Sequence, residues 1–316
     1  MIKKTRKHPA AINLDRRTFL KGAALGAAAM ALPPADADAG ILEGFFQKHF
    51  REMNDEEIKK VIDRLEKDYS KQFSKEVKVK VTKPMENVVF GYGLDIGRCI
   101  GCRKCVHACV AENNQSRDPQ IQWISVLKMK KGAKIADFES ADRYYQPEQV
   151  PEPGQFYLPV QCQQCENPPC VDVCPTKATW KEKDGIIVID YDWCIGCRYC
   201  MMACPYGARR FNWSKPNIPS EQLNPNTHYL GNRPRPKGAV EKCTFCIQRT
   251  REGRYPACVE ACPVGARKFG NLADPNSEIR KAMEHFRVFR LKEDLNTKPQ
   301  FFYFFGVKAN RAEGGK

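Results

Sequence analysis

Cys194-Ile195-Gly196-Cys197-Arg198-Tyr199-Cys200-Met201-Met202-Ala203-Cys204-Pro205 is the stretch that decides how this chain is read. Its four cysteines stand at C-x2-C-x2-C-x3-C spacing, and a proline follows the last. Working outward, the same spacing recurs upstream at Cys99, Cys102, Cys105 and Cys109. Two looser groups of four complete the pattern, Cys162, Cys165, Cys170, Cys174 and Cys243, Cys246, Cys258, Cys262, and each ends in Cys-Pro. The four groups use all 16 cysteines of the 316 residues, so no thiol is left over for another purpose.

Thiolates three residues apart on a tight loop can reach three irons of one cube. A fourth, at the start of the next helix, points away and serves the other cube of a pair. Rival chemistries fit worse. Disulfides across C-x2-C are strained, and eight bridges would not repeat this order. Zinc ribbons use two cysteine pairs per metal, without the third close cysteine or the Cys-Pro ending. The spacing therefore predicts four [4Fe-4S] clusters. Nineteen residues separate Cys174 from Cys194, and they contain Asp184-Gly185 and the apolar run Ile186 to Ile189. That is a hairpin turn and a strand, the connector of a compact two-cluster unit. Groups two and three thus pair, and groups one and four form a second module wrapped around the first. The expected fold class is α+β: two interleaved bacterial-ferredoxin-like modules, each with two cubes, carrying long loop insertions.

Residues 1–39 read as an address. Lys3, Lys4, Arg6 and Lys7 lead to Arg16-Arg17-Thr18-Phe19-Leu20-Lys21, then to a weakly apolar run from Gly22 to Leu32, then to Ala37-Asp38-Ala39. This order is that of a secretory signal cleaved after Ala39, and the paired arginines resemble the twin-arginine type. The apolar run is about half of the roughly 20 residues a spanning helix needs. The whole chain carries a net charge of +15; without residues 1–39 it keeps 45 Lys/Arg against 34 Asp/Glu, a net +11. Four oxidised cubes at roughly −2 each bring the loaded protein close to mild basicity, which removes the case for a nucleic-acid partner.

The remainder divides into a helical extension over 40–85, the cysteine domain over 86–270 and a cysteine-free extension over 271–316. Asn54 to Tyr69 is predicted as an amphipathic helix, with Asn54 and Glu57 at capping-box spacing and Ile58, Val61, Ile62 and Leu65 on one face. Alternation over Val77 to Val81 predicts a strand. Segments 110–161 and 205–242 are rich enough in Pro, Asn and Gly to be largely loop. Phe301-Phe302-Tyr303-Phe304-Phe305 needs cover on both faces, from within the chain or from a partner. No stretch is long and apolar enough to cross a membrane, so membrane contact is expected only through partners.

Several of these segments resemble the four-cluster electron-transfer subunits of the molybdopterin oxidoreductases. Cys162-Gln163-Gln164-Cys165-Glu166-Asn167-Pro168-Pro169-Cys170 through Thr179 looks like their second motif. Trp193 through Ala208 resembles their third motif, and Lys242-Cys243-Thr244-Phe245-Cys246 through Pro263 their fourth. The resemblance covers about residues 88–270. It implies cubes ligated by Cys99, Cys102, Cys105, Cys262; by Cys109, Cys243, Cys246, Cys258; by Cys162, Cys165, Cys170, Cys204; and by Cys174, Cys194, Cys197, Cys200. Some relatives replace a group-three cysteine with Trp and hold a three-iron cluster; Cys197 keeps that position here. Many exported relatives carry a C-terminal membrane helix, which this sequence lacks.

The function so implied is an electron relay, running between a membrane quinone-reactive subunit or c-type cytochrome and a molybdopterin-containing catalytic subunit, on the periplasmic side and peripheral to the membrane. A relay in a periplasmic hydrogenase or another respiratory complex without molybdopterin is the alternative, and a structural scaffold or an enzyme completed only in complex are further readings. No catalytic site is expected in the chain itself, since all sixteen ligand positions are filled and no Ser/His/Asp or paired-carboxylate constellation stands out. His107 could tune or shield a cluster, although a solvated loop histidine is the better reading; Lys242 and Arg198 could raise cluster potentials or be ordinary surface charge. Changing Arg16 and Arg17 together to Lys is expected to strand unprocessed protein in the cytoplasm. Undiminished accumulation of that variant in the periplasm would show the twin arginine to be incidental.

Overall fold

Phe90-Gly91-Tyr92-Gly93-Leu94-Asp95 alternates large residues with glycine, and the computed structural model, which describes residues 53–306, shows why. This strand, Phe90–Asp95, is the middle of a three-stranded sheet, with Arg267–Asn271 antiparallel on one side and Phe301–Phe304 parallel on the other. Its large side chains enter the main core, while the glycines let the helix Glu278–His285 and the segment before it lie directly on the sheet. A Cβ at Gly93 would stand 2.6 Å from Ile279 Cδ1, and one at Gly91 2.5 Å from a Leu272 methyl. Both distances are far inside van der Waals contact, so side chains there would force Ile279 of the helix and Leu272 before it to move.

The aromatic block is covered from within the chain, and a docking partner is not needed to cover it. Phe301 and Tyr303 face the core; Phe301 stacks on Tyr92 with ring centroids 4.6 Å apart. On the other face Phe304 stacks on Phe286 at 5.0 Å, and the Arg290 guanidinium lies 4.9 Å over the Phe302 ring. Within the block only Phe305 is exposed. Residues expected as an extension after 270 therefore supply an edge strand to the sheet that begins the cysteine domain.

The N-terminal helix runs Asp55–Phe73, one turn beyond the sequence reading. Its capping box is present, with Glu57 N donating to Asn54 Oδ1 at 2.9 Å and Asn54 N to Glu57 Oε2 at 3.0 Å. The extra turn follows from Phe73, which continues the buried Leu65, Tyr69 face at i+4 spacing. That face packs on Val77, Val79, Ile218, Leu223 and Tyr229. The predicted strand appears as Lys78–Lys80 and pairs in parallel with Asn226–His228, so the extension is clasped by the segment 205–242.

Segment 110–161 departs from its loop reading. Ser125–Lys130 and Gln155–Val160 form a six-residue antiparallel pair. The last four residues of Gln155–Val160 are all buried, so both its faces are covered there and the period-two signal is weak, while Ser125–Lys130 alternates only over Leu127 to Lys130. The Asp184-Gly185 hairpin is where the sequence placed it, joining Thr179–Lys181 to Ile187–Ile189, with Gly185 at φ +83°. Asp184 is fully buried and paired with Arg251 at 2.8 Å, which fixes this turn against the helix Ile247–Thr250. The signal segment 1–39, residues 40–52 and the last ten residues lie outside the described residues.

Replacing Phe301 with Ala should cost about 3–5 kcal/mol, read as a lower denaturation midpoint. Truncation after Thr297 should abolish folding and cluster loading; a truncated protein that kept its thermal stability would return the block to a docking role.

Candidate metal centres

Groups one and three share one backbone device. Gly101 and Arg103 are left-handed at φ +76° and +54°, and Gly196 and Arg198 repeat this at +71° and +67°. Such left-handed residues curl each loop so that the cysteines on either side point inward. The glycines are required: a Cβ at Gly196 would lie 2.2 Å from Gly238 O, and one at Gly101 2.3 Å from the Tyr157 ring. Cys105 then starts the helix Lys104–Glu112, and Cys200 the helix Tyr199–Met202. Cys109, one turn farther along the first helix, is buried as well.

Thiols distant in sequence meet. Cys99, Cys102 and Cys105 line one cavity together with Cys262. Cys174 lines another with Cys194, Cys197 and Cys200. Cys109 lies among Cys246, Cys243 and Cys258; burial first, then repulsion from those thiols, raises its pKa well above that of a free thiol. Cys165 lies with Cys162, Cys170 and Cys204; burial first, then the Cys162 charge, pushes it up to about 12. Burial likewise holds Cys99 and Cys246 at about 12. Such thiols keep their protons in the empty protein, so metal must displace them as the site is loaded.

The sets also adjoin one another. Cys105 and Cys258 are electrostatic neighbours, as are Cys243 and Cys162, and Cys200 and Cys170. Two sets are almost wholly buried, whereas Cys197 is exposed and Cys99, Cys102 and Cys262 are half-buried. The rim around Cys197 is largely apolar, with Ile195, Tyr199, Met202 and Trp213 exposed beside the Arg198 guanidinium.

The residues fit iron–sulfur cubes. Among the described residues no three Cys, His, Asp or Glu side chains converge as a single ion requires; ligands to one zinc would stand roughly 3.8 Å apart, and those of a cube stand wider. Donors surround the sulfurs. Gln115 Nε2 lies 3.2 Å from Cys109 Sγ, and Asn113 Nδ2 lies 3.5 Å from Cys246 Sγ. Backbone N–H groups of Ala266 and Phe245 approach Cys262 and Cys243 at 3.3 and 3.4 Å. Arg209 Nη2 reaches Cys170 Sγ at 2.9 Å, while its Nε and Nη1 are buried without a partner among the described residues. Orphaned N–H groups lining a thiol cavity suit a group rich in sulfide.

Of the charged residues singled out in the sequence, His107 is exposed, as a solvated histidine. Arg198 is exposed too, its guanidinium 4.6 Å over the Trp213 ring. Lys242 is fully buried rather than a surface charge, and Nζ donates to the Cys243 and Ile187 carbonyls. Arg209, Arg267, Asn113 and Gln115 were not anticipated. The arginines did leave a signal, since both end a Cys-Pro-x-Gly-Ala-Arg segment.

Comparison with known proteins agrees with this arrangement. Two models described as 4Fe-4S dicluster domains match, one over residues 98–178 and 193–275 and the other over 154–221. Residues 13–33 match the signal sequence of the twin-arginine translocation pathway. A selenate reductase subunit of Mesobacillus selenatarsenatis is 34% identical, over 92% of this chain and 97% of its own. The iron-sulfur cluster-binding subunit of menaquinone reductase from Nitratidesulfovibrio vulgaris is 37% identical, over 68% and 88%. A polysulfide reductase polypeptide of Wolinella succinogenes is 36% identical, over 67% and 92%. The chain therefore belongs to the 4Fe-4S dicluster family, as an iron–sulfur electron-transfer subunit of the reductase type with four [4Fe-4S] clusters.

Proposed function

We propose that the four clusters form one electron relay through two interleaved dicluster modules. Their ligands are Cys99, Cys102, Cys105, Cys262; Cys109, Cys243, Cys246, Cys258; Cys162, Cys165, Cys170, Cys204; and Cys174, Cys194, Cys197, Cys200. The observation that carries this reading is the line of neighbouring thiol sets, buried in the middle and nearer solvent at both ends. Burial of the inner sets shields electrons in transit from solvent oxidants, and the less buried ends admit donor and acceptor. Cys197, in its largely apolar rim, marks one contact surface. The partners are a molybdopterin-containing catalytic subunit and a quinone-reactive membrane subunit or c-type cytochrome. Selenate and polysulfide reductases and a menaquinone reductase among the relatives favour that pairing over a complex without molybdopterin. The working place is the periplasm, reached through the twin-arginine signal. No helix among the described residues is long and apolar enough to cross a membrane, and attachment through the partners accords with that.

Anaerobically purified protein should contain about sixteen irons and as many acid-labile sulfides; zinc in their place would end the reading. Cys174→Ser should damage the cube of Cys194, Cys197 and Cys200, and Cys109→Ser that of group four. A cluster lost instead from each mutated cysteine's own sequence group would exclude ligand exchange. All four cubes should also be reduced reversibly, and clusters inert between donor and acceptor potentials would point to a scaffold.

A further inference from the structure

Cys204-Pro205-Tyr206-Gly207-Ala208-Arg209 and Cys262-Pro263-Val264-Gly265-Ala266-Arg267 differ at one position. They also fold alike. Gly207 and Gly265 are left-handed at φ +55° and +60°, and the alanine and arginine that follow are buried in both. The turn reverses the chain immediately after a cysteine and returns a guanidinium beneath the thiols five residues later. The corresponding positions after Cys109 and Cys174 are Asn114 and Thr179, so the paired groups one and four hold one such arginine, and groups two and three the other.

Each guanidinium donates to a ligand of one set and lies in the field of a ligand of another. Arg209 donates to Cys170 Sγ at 2.9 Å and to Thr179 Oγ1 at 3.1 Å, and the charges of Cys170, Cys200 and Cys162 act on it. Arg267 donates to Cys105 Sγ at 3.1 Å, with Tyr92 Oη and Gln161 Oε1 accepting at 2.9 and 3.0 Å; Cys258 is its second thiol neighbour. Among the described residues neither has a carboxylate partner. The other deeply buried arginines do: Arg233 has Asp192, Arg235 has Glu241 and Arg251 has Asp184. A buried guanidinium cannot shed its proton, and without an opposite charge its burial is costly. Among the described residues, the anions within reach are the thiolates and what they hold.

We propose that Arg209 and Arg267 are shared counter-charges, one per dicluster module, each set between two cubes and holding the reduction potentials of both up together. This rests on the ligand sets given above. Adding an electron to a cube adds negative charge, which a fixed cation a few ångströms away favours, and N–H···S hydrogen bonds act in the same direction. A cation shared by two cubes shifts both in the same direction, so it raises the pair without widening the step between them.

The test is potentiometric EPR on the full-length, cluster-loaded protein, with iron and sulfide measured on every sample. Arg209→Gln should lower the cubes of Cys162, Cys165, Cys170, Cys204 and of Cys174, Cys194, Cys197, Cys200 by at least tenfold in reduction equilibrium constant, about 59 mV for one electron. The other two cubes should stay in place. Arg267→Gln should do the converse. Fully loaded Gln variants with unchanged potentials, with all four cubes shifted alike, or with one cube shifted alone would overturn the proposal. Should a Gln variant lose iron, the matching Lys variant decides: restored iron and wild-type potentials for both cubes uphold a counter-charge, and continued iron loss refutes it. Fewer than four cubes in the unmutated protein would instead refute the ligand sets.

Discussion

Nine cysteines of this chain are buried, and a buried thiolate is stable only against metal or a positive charge. The rest of the structure follows from that constraint. Left-handed turns curl the cysteine loops around common centres, short helices begin at the inward cysteines, and amide and guanidinium donors face the sulfurs. Burial keeps the empty thiols protonated, so the folded state is completed when metal replaces those protons. The cofactor acts as part of the core as well as the redox agent.

Bringing the ends of a long segment together is the second requirement. Cys99 and Cys262 are far apart in sequence but line one cavity, because the strand just before Cys99 and the strand just after Cys262 are neighbours in one sheet. The parallel strand Phe301–Phe304 and its stacked rings lock that pairing from the far side. Gly91 and Gly93 matter through what they omit, since a side chain at Gly93 would meet Ile279 of the helix and one at Gly91 would meet Leu272 before it. Buried ion pairs act similarly elsewhere: Arg251 ties the Asp184 turn to the helix after Cys246, and Arg235, stacked on Trp123, pairs with Glu241 of the strand Val240–Glu241.

The chemistry was legible from residue order alone. Sixteen cysteines in four groups of fixed spacing, three of them closed by Cys-Pro, admit few chemical uses, because a cube's geometry dictates where its ligands must stand along a loop. Local rules were readable for the same reason: the Asn54–Glu57 capping box and the Asp184-Gly185 turn depend on residues a few positions apart. What depends on distant partners was settled in three dimensions. The aromatic block leans toward packing within the chain but leaves an interface open until Tyr92 and Phe286 are seen against it. Strand Gln155–Val160 is hard to read as a strand because its last four residues are all buried, which erases alternation. Lys242 and Arg198 look alike in the sequence, each beside a ligand, yet one is buried against carbonyls and the other lies in solvent. Burial and charge compensation are sums over the whole fold, and no short window of sequence contains them.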